Sequence, residues 1–135
     1  MFLPINFEDG KLVRLPMGAT DTYTVGEALK ISGGYYVAAT SAQATDVEAV
    51  CMEAGTISVS GTLLNCIPTR GIRFIADTDS TPAYSQQGTY VDLAGANTVN
   101  EDSAATDYCF YIEKVVGPLA DKKVQGFFQH GTVLA

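Results

Sequence analysis

The sequence predicts an all-β protein: a small β-barrel or β-sandwich with an internal duplicated hairpin plan and an extended N-terminal arm. Three observations predict it. The stretch Val25–Thr40, VGEALKISGGYYVAAT, alternates at period two, with Val25, Glu27, Leu29 and Ile31 set against Ala28 and Lys30. It turns at Ser32-Gly33-Gly34 and restarts as Tyr35-Tyr36-Val37, the pattern of a β-hairpin. The same plan returns at Gln87–Asp102, QGTYVDLAGANTVNED, where Gly26 aligns with Gly88, Leu29 with Val91, Ile31 with Leu93, Gly33 with Gly95 and Val37 with Val99. Finally, roughly ten short extended runs recur with turn signals every ~8–12 residues, and no helical period exceeds about two turns.

Taken in order, Phe2, Leu3, Ile5 and Phe7 form an apolar start interrupted by Pro4, which favours an extended backbone, and Glu8-Asp9-Gly10 is a turn. Two fates are open to this start. It is either a first strand on the chain's own core or an arm that docks on a neighbouring molecule, since four large apolar groups would otherwise lie exposed. Phe2, Leu3, Ile5 and Phe7 are therefore the candidate contact residues. Lys11–Leu15 alternates and Pro16 ends it; Met17–Tyr23 reads as a small polar connection. After the first hairpin, Thr40–Asp46 is a loop. Val47–Ala54 has a helix-like composition but aligns with the aromatic and branched run Tyr108–Lys114, so both are assigned as strands. Gly55–Gly61 is a hairpin arm or edge strand. Thr62–Ile67 is a strand stopped by Pro68 and echoed by Lys122–Phe128, and Gly71–Ala76 extends the first copy. Asp77–Gln87 is a polar surface loop, and Gly117–Lys123 is the turn before the last strand. Residues 1–20 thus read as arm and first strand and 21–135 as the β domain, with pseudo-repeats at 25–76 and 87–131, offset by roughly 60 residues.

The chain has 135 residues, 47% hydrophobic and 17% charged, which is enough for one folded domain with a core and too little for two ordinary ones. Its formal charge of −7 opposes direct contact with nucleic acid. No basic segment precedes the apolar start, and no apolar run approaches the ~20 residues of a membrane-spanning helix, so the expectation is a soluble product of the cytoplasm. Cys51, Cys66 and Cys109 are odd in number and irregular in spacing, which reads as buried thiols ahead of a disulfide or a metal site.

Reactive chemistry is sparse. His130 is the one histidine, and it lies in FFQHG without a GxSxG or HExxH signature. Asp77 and Asp79 resemble the opening of a calcium loop but lack its later glycine and glutamate. Glu101, Asp102 and Asp107 read as a solvated acidic loop ahead of a cation or acid–base site. The glycines sit in turns and not before helices, so they cradle no phosphate. Tyr35-Tyr36 and Tyr108, Phe110 and Tyr111 lack the interleaved basic residues of a single-strand platform, and packing or subunit contact is the better account. The expectation is a non-enzyme with no cofactor, no metal and no catalytic residue.

The runs GEALKISGGYYVAAT, VCMEAG, GTYVDLAGANTV, DYCFYIEKVV and KKVQGFF, spread over Val25–Phe128, together resemble the head decoration (cement) proteins of tailed bacteriophages. That resemblance implies a small β-barrel or sandwich, often with an N-terminal arm, that clamps adjacent major capsid proteins on the outside of the expanded shell. It implies the major capsid protein and further copies of the chain as partners, a homotrimer ahead of a homodimer, with no nucleic acid or membrane. The expected location is the outer capsid surface of the virion. The alternatives are another phage structural part (tail, head-completion or baseplate) or a β-barrel module that binds a carbohydrate or small ligand.

Overall fold

Gly33 and Gly34 take φ of 59° and 87°, the two successive positive values that let a two-residue turn match the twist of its flanking strands. They join β4 (Ala28–Ser32) to β5 (Tyr35–Ala38), paired from Ser32↔Tyr35 to Leu29↔Ala38. This hairpin is the predicted one, in a computed structural model that describes residues 1–5, 11–39, 47–101 and 109–130. With β2 (Val13–Met17), β6 (Ala49–Cys51) and β8 (Thr62–Pro68) it closes a five-stranded barrel in the order β2-β5-β4-β6-β8. The β2–β5 contact is parallel and every other contact in the ring is antiparallel.

The second half repeats this topology. β9 (Phe74–Thr78) pairs in parallel with β11 (Thr98–Asn100) and antiparallel with β13 (Lys123–Phe128); β10 (Thr89–Gly95) pairs with β11 and with β12 (Phe110–Val115), and β12 with β13. The β9–β13 pairing closes these five strands into a second ring of the same order as the first. Leu29↔Ala49 is matched by Val91↔Phe110, Ile31↔Tyr36 by Leu93↔Val99, and Cys51↔Cys66 by Ile112↔Gly126. The chain is all-β, and among the described residues there is no α-helix.

This topology corrects the repeat boundary. Gly71–Ala76 does not extend the first copy; Phe74–Thr78 is the opening strand of the second, the counterpart of Val13–Met17. Alternation marks a strand but not its partner. The second hairpin also turns differently. Gly95, aligned with Gly33, lies in β10 without a positive φ, and the ladder slips by a residue between Leu93 and Gly95. Pro16 does not end β2 but stands inside it, opposite Leu63. The Met17 carbonyl accepts from Gly61 on the β8 side, and the Gly18 amide donates to Tyr36 on the β5 side. Alternate residues therefore face alternate neighbours, and the nitrogen of Pro16 falls on the β5 side, where β2 meets β5 only at Met17.

Part of the expected polar connection is also a strand. β3 (Asp21–Tyr23) pairs with β7 (Gly55–Ile57) in a ribbon that sends Tyr23 and Ile57 into the first barrel. There they pack with Met17, Leu29, Ala49, Cys51, Leu64 and Cys66, and the Tyr23 hydroxyl donates to the Gly18 carbonyl at 2.7 Å. All three cysteines are free and buried, as expected. The other core fills the second barrel and includes Ala28, Val50 and Ile67 from the outside of the first, so the two barrels share a buried boundary.

β1 (Phe2–Pro4) takes the first of the two fates read for the apolar start. It pairs with Phe74–Ala76 on the side of β9 where β11 takes over at Asp77. The Phe2 amide also donates to Gly26 of the first half, and the Ile5 amide to Arg73 of the second, each at 2.9 Å. Phe2 is fully buried, its ring 4.8 Å from Phe128 and 5.8 Å from Phe110. Removal of Met1–Ile5 is therefore expected to destabilise the domain itself. Phe2→Ala should cost about 3–5 kcal/mol, against about 0.5 kcal/mol or less for Leu3→Ala on the outer side, as read by urea unfolding.

Candidate functional site

The four predicted contact residues part company. Phe2 is in the core and is withdrawn as a contact residue; Leu3 and Ile5 stand 42% and 44% exposed; Phe7 lies outside the described residues. Leu3 points out because Phe2, its neighbour at period two, points in. Leu3 on β1 and Ile5 just beyond it are thus apolar groups held outward on a segment anchored to both halves of the fold.

The duplication exposes a larger asymmetry. Outside the first barrel, Ala28, Val50 and Ile67 form one row across β4, β6 and β8, and all three are completely buried against the second half. The equivalent row on the second barrel is Tyr90, Tyr111 and Phe127 across β10, β12 and β13. It is half-buried, with ring centroids 4.9 Å and 5.2 Å apart. The barrel mouths, at the hairpin-turn ends, differ in the opposite sense. In the second, Phe74, Ala76, Leu93 and Val99 are buried, with Phe2 paired beside them. Their counterparts in the first are Val13, Leu15, Ile31 and Tyr36; Ile31 is 51% exposed and the others are half-buried. Beside that mouth Leu63 and Pro16 pair on the outside of the barrel next to exposed Tyr35, and Val59 is exposed in the turn before β8. The sequence alignment held the signal for both surfaces. It was unreadable without knowing which face of each strand pointed inward.

The reactive side chains are occupied elsewhere. The hydroxyl of buried Thr69 donates to the Val47 carbonyl at 2.7 Å, so it accepts from Nε2 of His130 at 2.9 Å. The hydroxyl proton is committed to a carbonyl, and the imidazole holds its proton on the facing nitrogen, so the pair is not arranged as nucleophile and base. Glu101 is no solvated loop residue: it is buried, and its Oε1 accepts from the amide and hydroxyl of Ser80. Asp102, Asp107 and Tyr108 lie outside the described residues. Phe110 is core, whereas Tyr111 joins the outer row. Cys51 and Cys66 face each other across β6 and β8; the Cys51 thiol donates to the Glu53 carbonyl at 3.0 Å and the Cys66 thiol to the Leu64 carbonyl at 3.6 Å, and the neighbouring Cys51 sulfur together with burial pushes the Cys66 thiol up. Among the described residues no group of three or more His, Cys, Asp or Glu side chains is placed to hold a metal ion. A recess of about 230 Å³ is lined by Thr69, Gly71, Ile72, Arg73, Phe127 and Phe128.

Asp77, read as a possible calcium ligand, is instead held by the Lys123 ammonium and by the Met1 ammonium at 3.0 Å. Burial acts to raise its carboxyl, but the two cations outweigh it and keep it below the usual carboxylate range. A depressed carboxylate contributes stability above its unfolded value, about pH 4, and that contribution disappears as pH falls through the folded value. Asp77→Asn should therefore lower stability at neutral pH and flatten the fall in thermal midpoint below about pH 4, as followed by melts across pH 2–6. Compared with protein-family models, with curated proteins and with solved structures, the chain matches none.

Proposed function

We propose that the chain is a virion structural protein, a capsid decoration or cement protein that binds the outer surface of a phage head and stabilises contacts between major capsid proteins. The observation that carries this reading is the set of large apolar side chains held outward: Leu3 on β1 and Ile5 just beyond its end, and Ile31, Tyr35 and Leu63 around the first barrel's mouth. Isolated exposed apolar groups are ordinary, but a group gathered at one end of a barrel marks a protein-binding surface. A cement protein acts through interface free energy multiplied over many copies, which calls for such surfaces and for no reactive centre. The acidic balance fits a surface turned away from packaged DNA. The implied partners are the major capsid protein and other copies of this chain, with a homotrimer ahead of a homodimer and neither nucleic acid nor membrane. Among the described residues no helix is long and apolar enough to cross a membrane.

Two recesses favour the ligand-binding alternative: the one beside Arg73, about 230 Å³ and below the ~300–1,000 Å³ usual for small-molecule sites, and one of about 360 Å³ along the β3–β7 ribbon, which is open and lined mainly by Thr, Ser and Asp where such sites are mostly apolar, so that reading ranks second. Purified protein should bind expanded capsid shells at a fixed stoichiometry and raise the temperature at which they disrupt. Leu3→Asp and Ile5→Asp should leave the thermal midpoint of the free protein near wild type and weaken attachment about tenfold or more, measured by co-sedimentation with shells. Absence of binding to expanded shells sinks the reading.

A further inference from the structure

Cys51 and Cys66 are partners in register across β6 and β8, and both side chains enter the core of the first barrel. The backbone of Cys51 is turned the other way. Its amide donates to the Glu27 carbonyl at 2.9 Å, and its carbonyl accepts from the Gly26 amide at 2.7 Å. The bonds between this segment and β8 fall beside it, as where the Met52 amide donates to the Asn65 carbonyl at 2.9 Å. Cys51 and Cys66 are therefore a non-hydrogen-bonded antiparallel pair, the kind in which facing side chains come closest. Such a pair sets its Cα atoms about 4.5 Å apart, inside the ~4.4–6.8 Å that a disulfide spans. We propose that Cys51 and Cys66 are a dithiol–disulfide pair: thiols in reducing surroundings, and a covalent bridge between β6 and β8 in oxidising ones.

Cys109 lies in the core of the second barrel, so the odd count of cysteines resolves into one facing pair and one separate thiol. The second barrel places Ile112 against Gly126 at the same register position, so the facing pair is peculiar to the first. A low-molecular-weight disulfide, such as oxidised glutathione, supplies the oxidising equivalents. One cysteine, as thiolate, attacks a sulfur of that disulfide and releases one glutathione thiolate. The other, as thiolate, attacks the mixed disulfide and releases the second. The protein gives up two protons and two electrons, and one disulfide is reduced to two thiols. Both cysteines are fully buried, so the exchange runs as the chain folds or when β6 lifts from β8, and the finished bridge is shielded from reductant. β6 is three residues long and meets β8 at three register pairs, so few backbone bonds hold that edge of the ring. A bridge there closes a loop that carries β7 with its ribbon contact to β3, and it removes freedom from the unfolded chain. The oxidised protein is thus the more heat-resistant form. That suits a virion subunit made in a reducing cytoplasm and then released, but the pairing rests on the register alone and not on the capsid reading.

The test uses the full chain in solution. Refolded in a mixture of reduced and oxidised glutathione, it should lose two of its three thiols, counted by alkylation in denaturant, and its mass should fall by two hydrogens. The folded, reduced protein left with oxidised glutathione should reach the same state more slowly. Cleavage after Glu53 separates the two cysteines, so the pieces that hold them should stay joined until a reductant is added. Cys109→Ala should form the bridge as wild type does, and Cys66→Ala should not. Oxidation should raise the thermal midpoint of wild type and of Cys109→Ala by about 5 °C or more, with no rise for Cys66→Ala. The mapping needs only the wild type, so poor folding of Cys66→Ala leaves the test intact. Three thiols that survive refolding in the redox mixture, a bridge that includes Cys109, or an oxidised protein that melts no higher would each overturn the proposal. Failure to bind shells, with this behaviour intact, would count against the capsid reading alone.

Discussion

Each barrel is closed by a short seam, the parallel contact between the first and third strands of its repeat. In the first barrel that seam has one register pair, Met17↔Tyr36; in the second it has two, Asp77↔Thr98 and Val99↔Thr78. Parallel neighbours cannot be joined by a tight turn, so the chain crosses the barrel before the hairpin brings its third strand back beside the first. Beyond the hairpin turn the first strand keeps its pairing with the last strand on one edge but has no partner from its own ring on the seam edge. In the second barrel β1 fills that place along Phe74–Ala76, and in the first no described strand does. Leu93 is buried in the core that holds Phe2 and the first barrel's Ala28–Val50–Ile67 row, whereas Ile31 is 51% exposed.

The duplicated interiors diverge by trading volume between facing positions. Where the first barrel sets Cys51 against Cys66, the second sets Ile112 against Gly126. A methyl group at Gly126 would come within 1.9 Å of the Tyr111 carbonyl oxygen and within 3 Å of the Phe110 ring. Here glycine is required by the closeness of a neighbour and not by its backbone angles. Close packing makes such exchanges compulsory, since one enlarged side chain must be met by a smaller one opposite. Phe110 and Phe128 in turn form the aromatic wall against which Phe2 rests, and Phe74 packs edge-on against Phe128.

The all-β class, the first hairpin and the buried thiols were legible because each depends on local pattern or composition; the strand Ala49–Cys51 was legible through the alignment of Val47–Ala54 with Tyr108–Lys114, against its helix-like composition. Tyr23 was missed because one aromatic residue in a run of small polar ones carries no period, and its partner strand lies more than thirty residues away. Gly71–Ala76 was visible as a strand but placed in the wrong half, with Asp77 and Thr78 given to the following loop; the strand is Phe74–Thr78, and its membership is decided by pairing with Lys123–Phe128, which alternation does not encode. Glu101 looked like a loop carboxylate; its burial depends on Ser80 supplying donors from another segment. The open mouth and the aromatic row were present in the aligned sequence, as Ile31 against Leu93 and Ala28 against Tyr90. Their meaning depends on which of two chemically similar positions is covered, and that is a property of the assembled fold.

β1 couples stability to surface within a few residues. Phe2 is packed against the rings of Phe110 and Phe128 while Leu3, the next residue, faces outward, and the segment they lie on is hydrogen-bonded to both halves of the molecule. Deleting the segment changes the core and the surface together, so loss of attachment by a truncated protein would not distinguish a missing contact from a loosened fold. Point substitutions separate the two, because alternation along a strand assigns each side chain to one face. A partner that gripped Leu3 and Ile5 would press β1 onto β9 and the first barrel, stabilising the joint between the halves along with the contact itself. Binding and folding free energy are linked in that geometry: whatever favours the seated strand strengthens the attachment, and attachment in turn favours the seated strand.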